Sequence, residues 1–351
     1  MDLYGYTGNI ANVDLNDGQI SLSKEKLEDL QNFIGGFGMN CKLFADLHIP
    51  NINSLSPENP IIIGTGPLVG TLAPGASRTV AISKFPATKA IANSCGSMSF
   101  GYHLKQAGYD HIVIQGKSDE SCYLFIHNDH IELCDASKIW GKDIIKTTDI
   151  LKRKHGSSGV IAIGQAGENL IKSSLTLIDK TSTLGRGGLG ALLGYKKLKA
   201  IVVKGSKGIR IADSKRFNKI FLKFKERIKR YPQRESWIEL GMLRSLPIGM
   251  LLSAKGQKSK ARQANERSYL KNMKKRRIAC PSCPMADKDI LEISTGKNSN
   301  LICYTSSVIN PLMMFGLKGL KSYNQVIEFF NKINSYGLDA LTINSLCELL
   351  N

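Results

Sequence analysis

A chain of 351 residues with 42% hydrophobic and 22% charged side chains can bury a sizeable core, and one to three domains fit its length; disorder is excluded by composition. The formal net charge is +19, and the stretch Lys204–Arg277, with 23 Lys and Arg against 5 Asp and Glu, carries +18 of it. Such a block attracts an acidic partner, whether nucleic acid, an anionic membrane surface or a small acidic electron carrier, unless it is only the solvated side of ordinary helices.

The first six residues, Met1-Asp2-Leu3-Tyr4-Gly5-Tyr6, contain an acid and no basic leader. The longest apolar runs, near Pro60–Leu72 and Ile201–Val203, are short and broken by glycine. No membrane span is therefore expected, and the cytoplasm is the expected compartment. Eight cysteines at irregular spacings read as reduced thiols or ligands, not as a disulfide framework.

In chain order, Tyr4–Leu22 alternates around Asn16-Asp17-Gly18, the pattern of a hairpin. Leu27–Leu47 has helical spacing interrupted at Gly35-Gly36-Phe37-Gly38, so a helix that stops and restarts is expected. Strands are expected at Ile61–Ile63, Thr79–Ser83, Ile112–Ile114, Cys122–His127, Ile131–Cys134, Val160–Ile163 and Ala200–Val203, with helices over Gly101–Ala107 and Asp143–His155. From Ala212 the pattern turns helical. Phe217, Ile220, Phe221, Phe224 and Ile228 share one face whose commonest use is packing on a core, although a basic amphipathic helix also suits a membrane surface. Gly249–Asn272 is polar and aperiodic and reads as a loop; Pro311–Lys332 and Leu341–Leu350 read as helices. The whole is an α+β chain, strand-rich over residues 1–208 and mainly helical over 209–351.

Gly185-Arg186-Gly187-Gly188 precedes an apolar strand. Its glycines allow close backbone approach to a ligand and its arginine suits phosphate, which makes an anion cradle; a ligand-free structural turn is the competing explanation. Read together with Gly66-Pro67-Leu68, Ser77-Arg78, Asn93-Ser94-Cys95-Gly96-Ser97-Met98-Ser99-Phe100-Gly101 and Gly164-Gln165-Ala166-Gly167-Glu168-Asn169-Leu170, the chain resembles the tungsten-dependent aldehyde ferredoxin oxidoreductase family. The resemblance continues through Cys280-Pro281-Ser282-Cys283-Pro284 to Gly337-Leu338-Asp339.

That resemblance implies a two-sheet pterin-binding amino-terminal domain followed by an incomplete helical one. It implies a tungsten (or molybdenum) bis-pterin, held by its own dithiolene sulfurs, with Arg78, Asn93, Gly96, Arg186, Gly187 and Gly188 at pterin or phosphate positions. Backbone carbonyls of Asn93 and Gly187 would face a magnesium ion between the phosphates, hard oxygens for a hard cation. Cys280 and Cys283 look like the opening of a Cys-x-x-Cys-x-x-x-Cys motif for a [4Fe-4S] cluster, with Asp287 in the third position and the fourth ligand beyond residue 351. A zinc knuckle or redox dithiol are the alternatives; no histidine follows His155 to complete a knuckle. Asn334-Ser335-Tyr336-Gly337-Leu338-Asp339 resembles a pterin motif whose first aspartate is here Asn334, while Gly337 equally suits a helix cap. Thr305 stands where the family has a glutamate acid/base, so no catalytic residue is identified. The implied reaction is oxidation of an aldehyde to a carboxylic acid, with electrons passing to ferredoxin. A second chain or homodimer mate would complete it. The alternative is a vestigial scaffold that binds an acidic partner through Lys204–Arg277; the lack of an aromatic-interleaved motif argues against nucleic acid.

Overall fold

In the computed structural model, residues 3–47, 49, 51–240, 274–294, 300–305 and 323–350 are described. The chain opens with the expected hairpin, β1 (Asn9–Asp14) and β2 (Ile20–Lys24), and the interrupted helix is α1 (Leu27–Phe33) and α2 (Phe37–Asp46). The break has a steric cause. Ile34 and Gly36 take φ of 63° and 53°, left-handed values that end one helix and begin another.

Then follow β3 (Ile61–Thr65), β4 (Thr79–Lys84), β5 (Ile91–Gly96), α3 (Phe100–Ala107) and β6 (His111–Gln115). The first sheet has the order β2-β1-β6-β3-β4-β5, antiparallel except where β1 lies parallel to β6, and β5 is an edge strand. The second sheet is built from β7 (Cys122–His127), β8 (His130–Asp135), β9 (Gly159–Ala162), β10 (Thr176–Ile178), β11 (Ser182–Leu184) and β12 (Leu198–Lys204), in the order β11-β10-β9-β12-β7-β8. Between its strands run α4 (Ile144–His155), α5 (Gln165–Glu168) and α6 (Leu189–Tyr195).

Ile61, Ile63, Ile112 and Ile114 of the first sheet, Leu124, Ile126, Ile201 and Val203 of the second, and Phe100, Leu104, Leu189 and Leu192 from α3 and α6 form one buried cluster. The opposite face of the second sheet, with Tyr123, Val160, Ala200 and Val202, packs against Ile144 and Leu151 of α4. Burial on both faces explains why Ala200–Val203 is a continuous apolar run and does not alternate. On the outer face of the first sheet, Ile10, Ile62 and Val113 meet Leu43 and Phe44 of α2.

This two-sheet α+β body forms one unit of Met1–Leu222 together with Cys280–Ser282 and Ser335–Leu338; Lys223–Ala279, Cys283–Asn334 and Asp339–Asn351 form the other. The second unit holds α8 (Arg234–Leu240), α9 (Tyr323–Tyr336) as far as Asn334, and α10 (Ala340–Leu349). It also contains a three-stranded antiparallel meander, β13 (Lys274–Ile278), β14 (Lys288–Ser294) and β15 (Asn300–Thr305), that periodicity does not announce. β13 reads Lys-Lys-Arg-Arg-Ile. Its pairing is held by charge: Lys274 meets Asp289 at 2.9 Å and Lys275 meets Glu292 at 2.8 Å.

In α7 (Ser214–Lys229) no residue is fully buried: of the expected apolar face, Phe217, Phe221 and Ile228 are half-buried, and Ile220 and Phe224 are 55% and 46% exposed. The Gly249–Asn272 loop lies outside the described residues, as does most of Pro311–Lys332 before α9. Among the described residues, no helix is long and apolar enough to cross a membrane.

Candidate functional site

β4 and β5 carry the first group of candidate residues. Their antiparallel register sets Thr79 opposite Gly96 and Ile82 opposite Asn93, and side chains on a strand alternate between faces. Ile91, Asn93 and Cys95 are accordingly exposed, while Ser94 points to the other side. Arg78, just before β4, donates to the Cys95 sulfur at 3.7 Å, so Arg78, Asn93 and Cys95 share one face of the sheet edge.

The glycine loop docks against the same edge. Gly185 N–H donates to Ser94 Oγ at 2.7 Å, and Ala87 N–H donates to the Gly187 carbonyl at 3.0 Å. Gly185, Gly187 and Gly188 have φ of 85°, 114° and 101°, left-handed values that disfavour any residue with a Cβ. A Cβ on Gly187 would sit 2.8 Å from Phe85 Cδ2, and one on Gly188 would sit 2.7 Å from the Lys172 carbonyl oxygen. Arg186 is exposed between them. Gly96 has a different reason to be glycine: a Cβ there would lie 2.7 Å from Ile178 Cδ1, where β5 ends against the second sheet.

The later motifs return to this neighbourhood. Gly337, with φ 78°, ends α9 and offers its carbonyl to Leu175 N–H at 2.8 Å, while Leu338 bridges to Ser174. Gly190 is packed under the same segment, its missing Cβ only 2.8 Å from the Leu175 carbonyl oxygen. Loop 185–190, segment Lys172–Leu175 and Gly337-Leu338 are therefore contiguous. Asp339 is used differently: it caps α10, accepting from Leu341 N–H at 3.3 Å and Thr342 Oγ1–H at 2.6 Å. Asn334 is buried.

Cys280 is buried, and Met98 N–H donates to its sulfur at 3.4 Å, two residues beyond Gly96. Cys283 donates to the Met285 carbonyl at 3.2 Å, and Asp287 pairs with Lys288 at 2.9 Å. Among the described residues no three of His, Cys, Asp and Glu gather where they could hold a metal ion. An iron–sulfur cluster wants four thiolates, so the donor set present does not fit one. Cys303 is fully buried on β15, and burial pushes its thiol up to about 12. Thr305 is buried on β15.

Sequence reasoning passed over Ser94, Cys95 and the Asp339 cap. Alternation along β5 would have put Cys95 on the face of Asn93, and an Asp immediately before Ala340–Leu349 is a cap signal.

Two six-stranded sheets around a common core, with a left-handed glycine loop pinned to an edge strand, define an α+β domain. A family model for the aldehyde ferredoxin oxidoreductase N-terminal domain matches residues 10–205, and the chain belongs to that family. It is 39% identical over 232 residues to a tungsten-containing aldehyde ferredoxin oxidoreductase of Pyrococcus abyssi, covering 66% of this chain and 38% of the relative. It is 41% identical over 217 residues to the enzyme of that name from Pyrococcus furiosus, covering 61% and 36%. An aliphatic sulfonate oxidoreductase, WOR-like subunit, from Pyrococcus furiosus is 35% identical over 221 residues, covering 58% and 35%. Among solved structures, a chain of the active-site complex BamBC of benzoyl coenzyme A reductase with 1,5-dienoyl-CoA superposes with a TM-score of 0.81 at 28% identity, covering 96% of this chain and 54% of that one. The chain thus spans little more than a third of the length of the first two curated relatives.

Proposed function

We propose that this chain carries the pterin-seating part of a tungsten-dependent aldehyde oxidoreductase, and that the phosphate end of a metal-bound pterin lies along Arg78, Asn93, Gly96, Arg186, Gly187 and Gly188. The observation that carries this reading is the Ser94–Gly185 hydrogen bond of 2.7 Å, which ties the glycine loop to β5, the edge strand that presents Asn93 and Cys95 on its other side. In that setting the two guanidinium groups would supply charge-assisted donors, and the left-handed glycines, packed on Phe85 and on the Lys172 carbonyl, hold the loop in place against the strand. The carbonyls of Asn93 and Gly187 are the oxygens that would face magnesium, a hard cation that keeps most of its water. Gly337 and Leu338 form the next stretch of wall.

Bound there, the cofactor would supply a two-electron couple for the overall conversion of an aldehyde and water to a carboxylic acid, two protons and two electrons, the electrons leaving singly to ferredoxin. The residues of this chain bind and orient. They include no carboxylate in the Thr305 position to move a proton and no thiolate set for a cluster, so turnover requires the part of the relatives' length that this chain does not match. That part would come from the same polypeptide continued, a partner subunit or a homodimer mate. The exposure of α7 favours a second reading in which its lysines dock an acidic protein on the same scaffold.

The test is tungsten and pterin content of protein purified from tungstate-grown cells, by elemental analysis and by fluorescence of the oxidised pterin. Loading of the wild type, with at least a tenfold loss in the Arg78→Ala/Arg186→Ala double variant at unchanged circular dichroism, supports the reading. Equal loading of both would remove it.

A further inference from the structure

The two sheets meet along a seam between edge strands, β5 of the first and β11 of the second. Residues 94–99 run antiparallel to residues 179–185, and at three places a backbone N–H on one side is answered by a side-chain oxygen on the other. Gly185 N–H donates to Ser94 Oγ at 2.7 Å, Ser97 N–H donates to Ser182 Oγ at 2.9 Å, and Ser99 N–H donates to Asp179 Oδ2 at 2.9 Å. Between them Gly96 lies against Thr183, whose carbonyl oxygen would be 3.0 Å from a Cβ. Each tie therefore hangs on one side chain.

Asp179 carries the most of the three. It is buried in the β10–β11 turn at φ 51°, and its two oxygens accept from four donors. Oδ2 accepts from Ser99 N–H and from Ser99 Oγ–H, the latter at 2.6 Å; Oδ1 accepts from Val160 N–H at 3.1 Å and from the Lys152 ammonium at 2.7 Å. One carboxylate thus fixes the turn to the start of α3, to β9 and to α4, and hydrogen bonds to an ionised acceptor are about twice as strong as neutral ones. The backbone it holds is strained. Met98, between the tied residues Ser97 and Ser99, has φ 77°, a value that a non-glycine residue keeps only where its surroundings over-determine it. At the far end of the seam is the Ser94–Gly185 contact, with Asn93 and Arg186 the next residues along each strand.

We propose that Asp179 is a positioning residue for the candidate pterin seat: by fixing the buried end of the seam it sets how Asn93 on β5 stands to Arg186 in the glycine loop. This role rests on the pterin-seat reading, and the two are tested by separate readouts. Asparagine at position 179 keeps the left-handed turn, but whichever way its amide is turned, the NH2 group faces donors, Ser99 on one side or Val160 and Lys152 on the other. The test is residue-resolved hydrogen exchange at the Ser97, Ser99 and Gly185 amides, together with pterin content per folded chain. In Asp179→Asn, exchange should rise at least tenfold at Gly185 as well as at Ser99, and pterin content should fall at least threefold. Lys152→Met, which leaves the Ser99 and Val160 bonds in place, should change Gly185 exchange and pterin content by less than twofold; equal effects of the two variants would reduce Asp179 to an ion-pair partner of α4 and overturn the role. Should Asp179→Asn not fold, Ser99→Ala, which removes one of the four donors, should raise Gly185 exchange at least threefold. Unchanged Gly185 exchange in whichever variant folds, or raised exchange with unchanged pterin content, would overturn the proposal. Wild-type protein without pterin would remove the seat, and this role with it, whereas failure of the role alone leaves wild-type loading intact.

Discussion

At the scale of single residues, the glycines of the rim and one buried lysine show how much can rest on an atom. Gly188 is left-handed and has the Lys172 carbonyl oxygen where a Cβ would go, at 2.7 Å. Gly188→Ala should therefore cost about 1–3 kcal/mol in urea unfolding and reduce pterin loading, as backbone strain and overpacking combine. Lys196 is wholly buried, donating to the carbonyls of Pro57 and Gly116 at 2.7 Å each, and burial draws its pKa down to about 8. The unfolded chain keeps that proton to its ordinary value of 10.5, so between these two limits the unfolded state binds more protons and stability rises with pH. Lys196→Met should flatten that slope. The stability difference between variant and wild type should move by up to about 3 kcal/mol in favour of the wild type from pH 7.5 to pH 10.5.

At the scale of elements, the strand β5 and the loop after β11 are far apart in sequence and joined by few atoms. Ser94 Oγ accepts from Gly185 N–H, and Ser182 Oγ accepts from Ser97 N–H at 2.9 Å. Ser94→Ala removes the first of these and should cost about 1 kcal/mol in thermal unfolding, with a larger fractional loss of pterin than of stability. α4 starts at Asp143, whose carboxylate accepts from Lys146 N–H at 2.8 Å; Asp143→Ala should destabilise by about 1 kcal/mol. In contrast, Phe224 on α7 is 46% exposed, so Phe224→Ser should change stability by no more than about 0.5 kcal/mol in urea unfolding. A large loss there would mean that the helix is covered in solution.

At the scale of the whole molecule, the chain matches about 36–38% of the length of its first curated relatives. If the proposed pterin seat is right, this chain by itself should show no aldehyde-dependent reduction of ferredoxin in a spectrophotometric assay, because it has Thr305 where a carboxylate would move the proton. By itself the sequence determined the hairpin, the broken helix, most strands of the two sheets, the Asp143–His155 helix and the blocks that mark the family. Those features depend on nearest neighbours: turn glycines, alternation, helical spacing and fixed motif offsets. It did not reveal β13, because Lys-Lys-Arg-Arg-Ile becomes a strand only when Asp289 and Glu292 stand beside it. Nor did it reveal β5 as an edge or Ser94 as the tie to Gly185. Only the tertiary structure decided what each glycine makes room for, Phe85 at Gly187 and Ile178 at Gly96. Steric exclusion by a residue distant in sequence leaves no mark on the local pattern, and so it is read only where the chain has folded back on itself.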